Sequence, residues 1–125
     1  MLDPAMPRSA PVPGELGVTL ERSDAACALL KVEGEIDTLT ADDLDRGCEQ
    51  LLAAPSDVLV IDLSHVTFLA SSGLAVLIRA AHQAGERRLR LVTAARAVRR
   101  PLEITGSEQL FDLYADRAAA MTQAD

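Results

Sequence analysis

The chain has 125 residues, 49% of them hydrophobic and 25% charged, with a net charge of −7; this fits one globular domain and leaves no room for two. One Tyr, two Phe and no Trp dictate an aliphatic core and argue against base stacking, and the acidic balance repels a nucleic-acid backbone, so no direct nucleic-acid binding is expected. No apolar run approaches the roughly 20 residues of a membrane span, and 1–14 lacks the basic-then-apolar order of a signal peptide, so a cytoplasmic protein without membrane contact is expected.

Residues 1–14 hold Pro4, Pro7, Pro11 and Pro13, too much proline for a helix or central strand, and read as a disordered extension before a domain spanning 15–123. Leu16 to Arg22 alternates with Leu16, Val18 and Leu20 on one side, and Ala26 to Glu33 alternates again after a turn at Ser23-Asp24. The pair predicts an antiparallel hairpin. Gly34 to Asp37 is expected to end the second strand and lead into a helix from Thr40 to Ala54. There Thr40 and Asp43 form a variant capping box, Leu44, Cys48, Leu51 and Leu52 form the buried stripe, and Pro55 is the stop.

Val58 to Ile61 is an apolar β-branched run suited to a strand buried on both faces, followed by a polar connector. From Ser71 the period changes: Leu74, Leu77, Ile78 and Ala81 fall at helical spacing, and Gly85 offers a left-handed stop. Arg88 to Thr93 predicts another strand. Ala95 to Thr105 predicts a helix that Pro101 must bend or confine to a short first segment, ended by Gly106. Leu110 to Tyr114 reads as a last edge strand and Asp116 to Gln123 as a terminal helix. Two strands followed by three strand-and-helix units imply an α/β fold with parallel pairing in the later part of the sheet.

Ser71 and Ser72 stand where a helix begins and its first N–H groups lack partners. A helix N-terminus carries roughly half a positive charge, which suits a serine that accepts a phosphoryl group; on the local pattern alone a plain capping role for Ser71 is the simpler explanation. Glu35 and Asp37 are a carboxylate pair by composition, but nothing supplies a substrate pocket, and for Asp37 starting the helix is the simpler role. Charge is segregated: Glu15 to Asp57 holds eleven acids against three bases, and Glu86 to Arg100 holds six arginines and one acid. A bipolar surface of this kind orients docking, although solvated faces account for most of these charges as well. Cys27 and Cys48 are too few for a zinc site and are expected as reduced, packed thiols.

The string Thr67-Phe68-Leu69-Ala70-Ser71-Ser72-Gly73-Leu74 resembles the signature loop of the STAS domain of bacterial anti-sigma factor antagonists, where an aspartate-serine-serine-glycine-leucine run carries the phosphorylated serine. Gly34-Glu35-Ile36-Asp37, with Thr40-Ala41 and Leu44, is similar to the family's glycine-glutamate-leucine-aspartate stretch. Val98-Arg99-Arg100 and Leu102-Glu103-Ile104-Thr105-Gly106 resemble its penultimate helix and glycine stop. These matches run in order from about Leu16 to Met121, and the chain is identified as a member. The resemblance implies a small mixed sheet built as a βα superhelix with helices packed on it. It implies Ser71 as phosphoacceptor and a partner-binding role for Gly34, Glu35, Asp37, Thr40, Ala70, Ser72, Gly73 and Leu74. One departure stands out: Ala70 replaces the family's aspartate, removing a carboxylate that would orient the hydroxyl or contact a kinase.

By resemblance, the unmodified domain binds an anti-sigma factor, itself a serine kinase of the histidine-kinase-like ATPase type, and so frees a sigma factor. Phosphorylation of Ser71 breaks the complex and a metal-dependent serine phosphatase restores it. The domain would then be a kinase substrate, needing no cofactor and catalysing nothing itself. A hydrolase using Ser71 as nucleophile needs a base, and His65 and His82, the two histidines, fall in no evident triad and no G-x-S-x-G elbow surrounds Ser71. No metal-ligand spacing is present. A third reading keeps the fold as a scaffold or a small-ligand or nucleotide-sensing module without phospho-regulation, and Ala70 favours it.

Overall fold

The computed structural model describes residues 15–122. The expected extension over 1–14 and Gln123, at the end of the expected last helix, lie outside the described residues. Five strands form one sheet in the order β1 (Leu16–Ser23), β2 (Cys27–Ile36), β3 (Val58–Leu69), β4 (Leu89–Val92) and β5 (Asp112–Tyr114). β1 and β2 are antiparallel; the other pairs are parallel. Helices α1 (Ala41–Ala53), α2 (Ser71–Ala84) and α3 (Arg96–Thr105) are the three crossovers, and α4 (Arg117–Met121) follows β5. This is the expected α/β architecture.

Each crossover steps to the next strand in the same direction, which places α1, α2 and α3 on one face of the sheet. The main core lies there, built from inward residues such as Leu30, Ile61 and Leu91 with Leu44, Leu77 and Leu102 of the helices. It is aliphatic apart from Phe111 and Cys48. The opposite face carries a smaller cluster of Cys27, Leu29, Val58, Val60 and Val92 under Ala120 of α4. Cys27 and Cys48 therefore belong to different faces, and both are free thiols. Burial pushes Cys48 up to about 12 and raises Cys27 as well, keeping both protonated.

Three expected boundaries are corrected. β2 does not end at Glu33 but continues through Gly34 and Glu35 to Ile36, paired with Val66, Phe68 and Leu69 of β3. β3 is longer still, because the stretch expected as a polar connector is strand up to Leu69. Two register shifts against β2, between Lys31 and Glu33 and between Gly34 and Glu35, each add a residue to β3. Inward positions thereby become Leu63, Val66 and Leu69, while Ser64, His65, Thr67 and Phe68 face outward. Gly34 takes φ 113 at the second bulge, a backbone state that disfavours a side chain. The last strand is shorter than expected, since Leu110 belongs to the 3₁₀ turn Ser107–Leu110.

Two expected helix details also differ. Thr40 precedes α1 but makes no capping bond to it, because its hydroxyl is used by the preceding loop, and Asp43 pairs with Arg46 instead. α3 continues past Pro101 to Thr105, so the proline does not confine it to a short first segment. The proline removes the donor to the Ala97 carbonyl, and Ala97 lies in the exposed first part of the helix.

Long-range polar contacts fasten the crossovers. Arg87 donates to the carbonyls of Leu52, Ala54 and Ser56 at 3.0, 2.8 and 3.3 Å, closing the C-terminal end of α1. Asp62, 2% exposed, accepts from Ser64 N at 2.9 Å and Ser64 Oγ at 2.6 Å, and pairs with Arg117 Nη2 at 2.7 Å. Arg117 also reaches Glu21 at 2.8 Å, tying α4 to β3 and β1. Burial alone would raise the Asp62 carboxyl, but the Ser64 and Arg117 hydrogen bonds outweigh it and hold the group below the usual carboxylate range.

Candidate functional site

The carboxyl ends of β2 and β3 bring together the two segments that the sequence singled out. Ala70 N donates to Ile36 O at 2.8 Å, so the loop into α2 is stitched to the end of β2. Gly73 closes the contact from the helix side. A Cβ there would lie 2.1 Å from Ile36 Cγ2 and 3.0 Å from Leu69 Cδ1, so only hydrogen fits between the first turn of α2 and the strand ends. Leu74 is buried in the core directly after it.

Ser71 is the first helical residue of α2 and is exposed; the capping position belongs to Ala70, and no side chain caps this helix. The plain capping role considered for Ser71 is therefore not the one it plays. The first intrahelical bond runs from Leu74 N to Ala70 O at 3.0 Å, which leaves the amides of Ser71, Ser72 and Gly73 without acceptors among the described residues. No acidic residue lies in this first turn. Ser72 differs from its neighbour: its Oγ is buried and has no hydrogen-bond partner among the described residues.

The adjoining loop between β2 and α1 is fixed by its own side chains. Asp37 Oδ1 accepts from Leu39 N at 2.9 Å and Thr40 N at 3.1 Å, and the Asp37 carbonyl accepts from Ala41 N at 2.9 Å. Thr40, 2% exposed, donates its hydroxyl to Glu35 O at 2.9 Å and accepts from Asp37 N at 2.9 Å. Asp37 Oδ1 and the Thr40 hydroxyl thus shape the loop. Glu35 is exposed, in register with Phe68 on β3.

Two residues beside this loop were not among the sequence candidates. Leu39 is 85% exposed and Phe68 49% exposed, although both are large and apolar. For Leu39 a signal was present: an apolar residue between two threonines in a short turn has no inward position to take. For Phe68 the signal was masked by the bulge, which turns it outward where alternation gives no guide.

Neither histidine stands beside Ser71. His65 is exposed on β3, its Nδ1 3.3 Å from Ser64 Oγ, six residues from Ser71. His82 lies near the far end of α2, about 16 Å along the helix axis from Ser71 at the usual rise. A cavity of about 260 Å³ lined by Leu16, Val18, Asp43, Arg46, Gly47 and Gln50 lies between β1 and α1 and includes no residue of the Ser71 loop. Among the described residues no group of three His, Cys, Asp or Glu side chains is placed to hold a metal ion, and no helix is long and apolar enough to cross a membrane.

Residues 19–113 match the family described as Mlab, STAS domain. The anti-sigma-F factor antagonist RsfB of Mycobacterium tuberculosis is 34% identical over 96 residues, covering 76% of this chain and 79% of that protein. The crystal structure of an anti-sigma factor antagonist from Mycobacterium paratuberculosis superposes with a TM-score of 0.80 at 33% identity, over 88% of this chain and 94% of that one. The Bacillus cell fate determinant SpoIIAA in its phosphorylated form shares the fold, with a TM-score of 0.61 at 14% identity over 82% of this chain and 96% of its own.

Proposed function

Because the chain belongs to the STAS domain family, we propose that it is an anti-sigma factor antagonist, a binding switch operated at Ser71. The reading is supported by relatives of 33–34% identity that bear this description. The observation that carries it is the contrast at the start of α2: Ser71 exposed beside three free amides, Ser72 with its hydroxyl buried. The unmodified loop, with Leu39 and Phe68 exposed next to it, docks on an anti-sigma factor, and the sigma factor held there is released. That partner is a serine kinase of the histidine-kinase-like ATPase type, and the exchange takes place in the cytoplasm.

The switching step is a phosphoryl transfer in which this chain is the substrate. Ser71 Oγ bonds to the γ-phosphorus of ATP, the bond to the bridging oxygen breaks to release ADP, and the hydroxyl proton passes to a base of the kinase. The product carries a charge of about −1.5 to −2. The amides of Ser71, Ser72 and Gly73 and the positive end of α2 stabilise it within this domain, so the fold need not move. Inside the docked interface the same group is desolvated beside two apolar contacts and near Glu35, and the complex separates. A serine phosphatase reverses the change by hydrolysis.

Incubation with the cognate kinase and ATP, followed by fragment mass spectrometry, tests the reading. Phosphate on Ser71, with loss of anti-sigma factor binding, is expected. Phosphate on Ser72 alone would overturn the assignment. The absence of any carboxylate in the first turn of α2 favours a second reading, a STAS scaffold without phospho-regulation; it predicts binding that ATP leaves unchanged.

A further inference from the structure

The basic side chains among the described residues divide sharply. Six are paired with carboxylates, and Arg87 and Arg90 are spent on backbone carbonyls. Those left without a partner among the described residues are Arg96, Arg99 and Arg100, all on α3. The buried face of this helix is Val98 and Leu102. Arg96, Arg100 and Ile104 follow one another at four-residue spacing on the outward side, and Ile104 is 70% exposed. Glu103 lies on the same side and offsets one charge, leaving α3 as a whole, with Arg99 at its flank, at +2 in a chain of −7.

The helix is also well placed. α3 packs on β3 and beside α2, the strand and the helix that hold Ser71 between them. Across the Ser71 loop from it, the end of β2 and the start of α1 present exposed Glu35 and Asp42. One end of the molecule therefore offers acid on one flank and unpaired guanidinium groups on the other.

We propose that the outward face of α3 is a second docking surface, which receives an acidic segment of the same anti-sigma factor that covers the Ser71 loop. The inference rests on the function proposed above and names where the partner's charge must lie. Unpaired guanidinium groups on a rigid helix match carboxylates in planar two-point contacts, and Ile104 among them supplies an apolar anchor. A folded protein can set its acids opposite α3 alone. A polyphosphate backbone or an anionic lipid surface spreads negative charge over its whole extent and meets Glu35 and Asp42 as well. The paired signs fix orientation and speed encounter more than they tighten the final complex.

The test is stopped-flow association of the cognate anti-sigma factor with wild type, Arg96→Glu/Arg100→Glu, Arg96→Gln/Arg100→Gln and Ile104→Ser, at low and high salt, with thermal melts and Ser71 phosphorylation measured in parallel. Charge reversal is expected to slow association roughly tenfold or more at low salt, with the difference shrinking as salt rises. The glutamine pair should fall between, and Ile104→Ser should speed dissociation. If the glutamate pair unfolds, the glutamine pair and the salt slope of wild type decide. Folded charge variants that associate like wild type and are phosphorylated normally overturn the α3 surface and leave the proposed function standing. Wild type that binds no anti-sigma factor overturns both. Binding to phosphatidylglycerol vesicles or duplex DNA that needs these arginines, with anti-sigma factor binding unaltered, assigns the face to another ligand and overturns the proposal.

Discussion

The amide of Ala70 donates to the carbonyl of Ile36 across 2.8 Å, fastening the residue before Ser71 to the last residue of β2. The loop that presents the hydroxyl is therefore fastened to the strand that leads into the loop carrying Leu39, and the exposed Ser71 hydroxyl takes no part in that bond.

Ser71→Ala should fold normally and change stability by no more than about 0.5 kcal/mol, because the side chain is exposed and caps nothing. It should retain anti-sigma factor binding in the presence of ATP and accept no phosphate. Calorimetry and a binding isotherm check both parts; a folded variant that no longer binds would make Ser71 a direct contact.

Ala70→Asp should do two separable things. Ala70 occupies the capping position of α2 with nothing capping it, so a carboxylate there can accept from the amide of Ser72 or Gly73 and should add about 0.5–2 kcal/mol of stability. It should also quicken phosphorylation by orienting the acceptor hydroxyl. A raised melting temperature with an unchanged initial rate would separate the two effects and dismiss the second.

Gly73→Ala should cost about 1–3 kcal/mol, since the new methyl meets Ile36 Cγ2 at an impossible 2.1 Å. Adding Ile36→Ala removes that methyl, so the double variant should lose less than the sum of the two single losses in chemical denaturation. Strict additivity would mean that the helix start yields freely and the contact sets no geometry.

Leu39→Ser and Phe68→Ser should weaken partner binding by about 1–3 kcal/mol each while leaving the unfolding midpoint almost unchanged, because both side chains already contact water. Midpoints that fall along with affinity would return these residues to the fold.

Asp62→Asn should destabilise by about 1–3 kcal/mol, for Arg117 keeps Glu21 and solvent as alternatives. The folded carboxyl titrates below its unfolded value of about 3.9. Its contribution is therefore complete above about pH 4 and is lost as pH falls through the lower folded value. Acid unfolding of the variant should show a correspondingly weaker pH dependence in that range.

Element order and the helix stripes were legible because each rests on local periodicity, as Leu74, Leu77 and Ile78 show for α2, and pairing direction because each later strand follows a helical crossover. The second half of β3 was not. Its inward residues Leu63, Val66 and Leu69 recur every third position, a spacing that arises only once two bulges against β2 exist, and bulges are properties of a strand pair. Thr40 was recognised as standing before α1, yet its hydroxyl serves Glu35 O, a choice made by the returning loop. The Ser71 loop was found through its signature, whereas Leu39 and Phe68 became visible as site residues only when exposure was known. The six arginines of 86–100 looked alike in sequence; three serve the fold and three do not, according to which carbonyls and carboxylates lie within reach.

The strand order, β1 through β5 without reversal, has a further consequence. In open α/β sheets a binding crevice opens where neighbouring crossovers leave for opposite faces and their loops part. Here every crossover leaves for the same face, so the loops after β2 and β3 lie side by side, joined by the Ala70–Ile36 hydrogen bond. Neighbouring loops that leave in the same direction do not part to form a crevice of that kind. Under the function proposed above, the two loops would dock together as one edge, with exposed Ser71 on it and the kinase supplying the chemistry.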